Sequence, residues 1–231
     1  MKTVGIIGGI GPESTIEYYR LLIASYRKQN PEAGYPSIII NSIDLTKMIE
    51  LITGGRLAEV ADYLINAVEK LARAGADFGA LASNTPHIVF DEIRARSSLP
   101  LISIVEAARE AAVGRGLKKV GLLGTRFTMQ GQFYPNVFSR AGIEIVVPEA
   151  SEQDYIHEHY MNELLNDIFL PETRARLLEI VDHWKEREGI AGIILGGTEL
   201  PLILKEDQHN GVAFLDTTRI HVNRIVGELS S

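Results

Sequence analysis

Thr3–Thr15, TVGIIGGIGPEST, and Val120–Thr128, VGLLGTRFT, decide the fold class. Each is a short apolar run that breaks on glycine and passes through a polar turn into a helical pattern. The runs are too short for a buried helix, and Pro12 suits the first position of a following one. Similar runs recur at Ser37–Asn41, Phe78–Ala82, Leu101–Ile104, Glu144–Val147, Ile193–Leu195 and Val212–Leu215. Helical spacing separates them, most clearly at Leu57, Val60, Ala61, Leu64, Val68 and Leu71, which ends at Ala74-Gly75. Strand and helix alternating in this way predict an α/β protein with parallel sheets and helices on their faces.

The two opening stretches also begin a repeat. Ser83, in Ala80-Leu-Ala-Ser-Asn-Thr-Pro86, follows Val4 by 79 residues, and Gly197, in Ile194-Leu-Gly-Gly-Thr-Glu-Leu200, follows Val120 by 77. Two matches at nearly equal separation predict two pseudo-symmetric halves, each Rossmann-like or flavodoxin-like, with an interdomain cleft at the strand ends. Gly114 and Gly116 place the boundary, giving a first domain of residues 1–114 plus 211–231 and a second of 115–210. On this reading the final strand and helix, Val212–Leu229, complete the first half.

Composition excludes several function classes. The 231 residues carry a net charge of -7 with no basic block, which argues against nucleic acid as a partner. No apolar run approaches the ~18 residues of a membrane span, and the N-terminus lacks signal-peptide character, so a cytoplasmic protein without a membrane partner is expected. There are no cysteines, which removes disulfides, thiolate metal sites and thiol catalysis together. The six histidines, His87, His157, His159, His183, His209 and His221, show no ligand spacing, so no metal is expected.

Four loops follow strands: Gly8–Thr15, Ser83–Thr85, Gly124–Thr128 and Gly196–Glu199. All but the second contain glycine and all carry hydroxyl groups, so backbone amides and hydroxyls can meet a ligand. Gly9-x-Gly11-x-x-Ser14 is a degraded dinucleotide fingerprint, and Glu13 would repel a pyrophosphate beside the helix start. No nucleotide cofactor is expected.

GIIGGIGPEST (Gly5–Thr15) followed by Tyr18-Tyr19-Arg20 resembles the opening of cofactor-independent aspartate/glutamate racemases. The resemblance continues through Asn84-Thr85, His87, Leu123–Met129, Phe133-Tyr134, Pro148-Glu149-Ala150 and Thr198-Glu199, and ends at Phe214 and Asp216-Thr217. It implies an amino-acid racemase, an isomerase working without pyridoxal phosphate or another cofactor. It also implies a homodimer with an acidic amino acid or dicarboxylate between two α/β domains. One cysteine would remove the α-proton and a facing cysteine would return one. By position those cysteines fall at Ser83 and Gly197. A serine hydroxyl needs a neighbouring base, and glycine offers no proton group.

Ordinary two-thiol racemisation is therefore not available to this chain, which leaves a silent ligand-binding protein or a non-thiol reaction as alternatives. His87 and Glu199 are the alternative bases to weigh, against packing for the first and loop orientation for the second. Gly9, Asn84, Thr85, Thr125, Thr128 and Thr198 are candidate substrate contacts, though some of the hydroxyls suit helix capping instead. Arg126 is the candidate carboxylate fork, with a salt bridge between domains as the competing role. Relatives carry a tyrosine and a lysine around the Met161 and Leu165 positions, and here that lysine is replaced by an apolar side chain. Trp184 is read as packing.

Overall fold

The computed structural model describes residues 2–32 and 34–231. Two compact units form, one from Met1–Ile104 with His221–Ser231 and the other from Val105–Ile220. All eight expected strands are present, with boundaries shifted by up to two residues, and a ninth short strand joins them.

In the first unit β1 (Thr3–Gly8), β2 (Ser37–Ser42), β3 (Phe78–Leu81) and β4 (Leu101–Ile102) form a parallel sheet in the order β2-β1-β3-β4. Central β1 is buried on both faces after its first residue, which is why it reads as a continuous apolar run. Alternation sorts its side chains between those faces. Val4 and Ile6 pack with Tyr18 and Leu22 of the helix Pro12–Gln29 and with Val222, Ile225 and Val226 of the helix Thr217–Leu229. A Cβ on Gly5 would lie 3.0 Å from Leu71 and Ala76, so the missing side chain lets the helix Leu57–Arg73 close onto the sheet.

That helix has no side-chain cap and buries Val60, Ala61, Leu64, Ala67, Val68 and Leu71, while Leu57 of the expected stripe is exposed. Each fully buried Leu or Val stabilises by about 1.5–3 kcal/mol. A missing cap costs only about 1 kcal/mol, so burial decides that this helix forms.

The second unit holds β5 (Lys119–Leu123), β6 (Glu144–Val146), β7 (Gly192–Leu195), β8 (Gln208–His209) and β9 (Val212–Asp216), ordered β6-β5-β7-β9-β8. Only β8 runs antiparallel to its neighbour. β5 occupies the place that β1 has in the first sheet. Gly121 is the counterpart of Gly5, and a Cβ there would lie 2.5 Å from the Trp184 indole. The tryptophan is buried packing, as its helical stretch implied.

The last strand departs from the sequence reading. β9 pairs with β7 rather than returning to the first sheet, because its Val212 and Phe214 fill the second core. It takes the position beside β7 that β4 takes beside β3, so the repeat includes a fourth parallel strand in each half. Only the following helix, from His221 onward, belongs to the first unit. Gly114 likewise ends the helix Ile104–Gly114, most of which lies in the second unit.

Candidate active-site loops

Within the first unit, the loops after β1 and β3 are built by tight local contacts. Gly9 has φ +82, and a Cβ there would press on the Ile43 backbone and lie 2.7 Å from Ser42 Oγ. Its amide donates to Thr15 Oγ1 at 2.8 Å, which fixes the turn against the helix start. Glycine is required both by the left-handed backbone and by this close approach. Gly9→Ala is expected to cost about 2–3 kcal/mol, combining the φ penalty with the displaced strand end. Urea unfolding measures it, and a loss below about 0.5 kcal/mol, the level of an inert surface change, would show the turn to be pliable.

Ser83 lies two residues beyond the end of β3 and is buried, as are Asn84 and His87, while Thr85 is half-buried and opens a short 3-10 turn. The His87 Nδ1–H donates to the Ser83 carbonyl at 3.1 Å, and His87 Nε2 accepts the Ile104 N–H at 3.3 Å. The carbonyl can only accept, which sets the tautomer. The ring stacks on Phe90 at 4.5 Å. Burial, followed by the nearby His221 ring, pushes its pKa down to about 3. His87 is thus a neutral imidazole with both nitrogens on backbone groups, holding the loop rather than facing the Ser83 hydroxyl.

His221 is arranged alike. It accepts from the Tyr18 hydroxyl at Nδ1 (2.8 Å) and donates from Nε2 to the Ile102 carbonyl (3.0 Å). Burial lowers its pKa to about 4.

In the second unit, Thr125 caps the helix Arg126–Gln130, accepting the Thr128 N–H at 3.3 Å, and its hydroxyl lies 3.2 Å from that of Thr128. Arg126 forms an ion pair with Asp154 at 2.7 Å, inside this unit and not between domains. The Arg126 amide donates to His157 Nδ1 at 3.3 Å. Both side chains of the Arg126–Asp154 pair are more than a third exposed, so the pair is worth little and the guanidinium can exchange Asp154 for another carboxylate.

Gly197 follows the end of β7 by two residues, as Ser83 follows β3. Gly196 ties this loop to β5 through a 2.7 Å bond from its amide to the Leu123 carbonyl. Beyond it, Thr198 Oγ1 donates to Glu199 Oε2 at 3.1 Å, and both residues are buried. Asp216 ends β9 directly beside Leu195, and burial raises its pKa above the usual carboxylate range. Thr217 donates to the Leu195 carbonyl at 2.7 Å.

Residues 7–225 match the family model described as Asp/Glu/Hydantoin racemase. The chain belongs to that family. The aspartate racemase homologue from Pyrococcus horikoshii OT3 is 36% identical, with a TM-score of 0.85 over all of both chains. The Picrophilus torridus aspartate racemase, at 22% identity and TM-score 0.80 over 100% of this chain and 95% of that one, shares the fold. The broad specificity amino-acid racemase RacX of Bacillus subtilis is 30% identical over 62% of this chain and 63% of its own length. A glutamate racemase of Glaesserella parasuis is 25% identical over 74% of this chain and 65% of its own length. The chain thus spans just under two thirds of the length of these two curated relatives.

The departure of this racemase-family chain at Gly197 has a structural partner that sequence reading missed. A Cβ at Gly197 would lie 2.5 Å from the Tyr160 hydroxyl oxygen and 2.7 Å from its Cζ. Tyr160 is buried, and its hydroxyl donates to Glu199 Oε2. Burial first, and then the Glu199 carboxylate, hold this phenol well above the usual range, so it stays protonated. Met161 and Leu165, whose positions had drawn attention, pack partly buried against the core instead. The tyrosine that reaches the loop stands one residue earlier on the helix Ala150–Asn162. The sequence signals were the tyrosine that relatives carry around the Met161 position and the side chain missing at Gly197.

Among the described residues no group of three His, Cys, Asp or Glu side chains converges as a metal site. Likewise, no described helix is long and apolar enough to cross a membrane.

Proposed function

We propose that this racemase-family protein binds an acidic amino acid or small dicarboxylate at loops that follow its parallel strands, and that it does not racemise through paired thiols. The observation that carries the reading is the equivalence of Ser83 and Gly197. Both stand two residues past the third strand of the repeat, in loops whose polar side chains are buried, yet neither bears a thiol. Asn84 and Thr85 in the first unit and Thr125, Thr128 and Thr198 in the second are the hydrogen-bonding candidates for the ligand's polar groups, whereas the Gly9 amide is already donated to Thr15. Arg126 receives a carboxylate in exchange for Asp154. The relatives' names support an amino-acid ligand, and family resemblance supports a cytoplasmic homodimer acting without pyridoxal phosphate.

A thermal-shift series with L- and D-aspartate, L- and D-glutamate and small dicarboxylates tests this. At 100 times its dissociation constant a ligand stabilises the fold by about 2.7 kcal/mol. For a chain of this size that raises Tm by roughly 5–10 °C. A flat response to every acid, with a response to nucleotides, would sink the proposal.

A further inference from the structure

An unpaired sheet edge offers its free amides and carbonyls to any second strand. Of the four edges that the described strands leave, three are short: β4 and β8 have two residues each and β6 has three. β2 is the exception. It has six residues, Ser37-Ile-Ile-Ile-Asn-Ser42, in unbroken register with β1, and carries no charge, proline or bulge to discourage a partner. The Ile43 N–H donates to the Gly8 carbonyl at 2.9 Å, so the odd-numbered residues of this segment bond to β1. Alternation turns the amides and carbonyls of Ile38, Ile40 and Ser42 outward, where no described strand pairs with them.

Exposed apolar side chains continue from this edge. Ile40 is exposed, as are Tyr35 just before the strand and Ile16 and Tyr19 on the helix Pro12–Gln29. That helix buries Tyr18 and Leu22 against Val4 and Ile6, and Ile38 packs against the same cluster. Ile16, Tyr19 and Ile23 stand at i, i+3 and i+7 on the helix. The right-handed crossover from β1 to β2 turns that flank toward the β2 edge. The helix is acidic in its first turn, at Glu13, and basic further along, at Arg20 and Arg27.

We propose that β2 pairs antiparallel with the β2 of a second copy of this chain across a two-fold axis, joining the first sheets of both copies. The proposal gives the homodimer reading above a surface and rests on that reading. The partner is a second copy because the edge is complementary to itself. With Ile40 opposite the partner's Ile40, Ile38 stands opposite the partner's Ser42, and each such pair exchanges two hydrogen bonds. Sliding one way brings in Pro36, which has no N–H. Sliding the other way brings in Asp44, whose amide already donates to the Tyr63 hydroxyl at 3.0 Å. The same axis sets the two helices antiparallel, with their Ile16 and Tyr19 flanks facing and Glu13 of each turned toward the basic half of the other. Ser42 lies against the Gly9 turn, so the pairing also braces that loop.

The chain has no cysteine, so a single introduced thiol reports the axis without background. Under mild oxidation Ile40→Cys should give a disulfide-linked dimer, since the Cα atoms of such a pair lie about 5.5 Å apart, within disulfide reach. Ser42→Cys should not, because the axis sets those two positions roughly 13 Å apart. Sedimentation of the native protein should give the mass of two chains. Ile40→Lys and Tyr19→Glu should each raise the dissociation constant by about 10²-fold or more, as a two-fold axis counts every change twice. Both side chains are exposed in the single chain, so thermal melting of the dissociated variants should show an intact fold. A native dimer that neither substitution loosens, or one that cross-links as readily through Ser42→Cys as through Ile40→Cys, would overturn this face alone. A native monomer would overturn the face and the homodimer together and leave the ligand reading standing.

Discussion

Racemase activity toward acidic amino acids is expected to appear in the triple variant Ser83→Cys/Gly197→Cys/Tyr160→Leu and to remain absent from Ser83→Cys/Gly197→Cys. Two well-placed proton-transfer groups contribute roughly 10²–10⁴-fold each, so restoring both should raise activity by about 10⁴-fold or more. In the native background the second thiol has no room. Its Cβ would lie 2.5 Å from the Tyr160 hydroxyl oxygen, and that ring is buried and tied to Glu199. Forcing the side chain in costs about 1–3 kcal/mol of overpacking. It also displaces the loop, and an error of about 1 Å at a reacting group can cost 10²-fold.

Leucine at position 160 is shorter, leaves Thr198 to hold Glu199, and frees the volume. Enantiomer interconversion and thermal melting would be measured on all three proteins. A double variant as active as the triple would show that Tyr160 does not block the position. A triple variant that folds and binds but exchanges no α-proton would mean the bases are misplaced.

The second large effect is acid lability. His87 titrates near 3 and His221 near 4 in the folded protein, against about 6.5 for an unperturbed histidine. Both folded values are depressed, so between these pH values the unfolded chain binds more protons than the native one. The stability they contribute is complete above about pH 6.5 and is lost as pH falls toward their folded values. At about 1.4 kcal/mol per pK unit the two shifts amount to roughly 3–5 kcal/mol each as upper bounds. That is a large part of a typical 5–15 kcal/mol total.

Urea unfolding at pH 7 and pH 4.5 would measure the loss. The lowered carboxylates Glu163, Asp182, Glu188 and Glu228 lose their contribution only below their ordinary range near 4. The window therefore reports the lowered histidines, His157 included, less an opposite contribution from Asp216, whose pKa burial raises. Equal stability at the two pH values would refute the account. A His87→Gln/His221→Gln variant should show a flatter profile across the same window.

Much of this protein is local and therefore legible in one dimension. The runs around Val4 and Val120 alternate with helical stripes because strand and helix have different side-chain periods, and those periods survive in any environment. The glycine turn after β1 is equally local, since a left-handed backbone needs glycine wherever it sits. Spacing from Val4 and Val120 paired the loops of Ser83 and Gly197, the racemase resemblance marked those as the thiol positions, and the absence of cysteine means no thiol stands there. Partnership between distant elements carries no such mark.

Nothing in Val212–Leu215 says whether it joins the first sheet or the second, because a parallel strand pairs through its backbone and either edge offers the same donors and acceptors. Packing of Phe214 into the second core decided it. His87 could be read as a base until its two nitrogens were found on the Ser83 carbonyl and the Ile104 amide. Resemblance pointed to a tyrosine around Met161, but its contact with Gly197 was not legible, since only the packing of the helix against the loop after β7 brings Tyr160 there. The sequence by itself determined the fold class, the repeat and the loss of both thiols. Tertiary structure alone decided what stands in the vacated space, because which side chains meet depends on how separately formed elements pack.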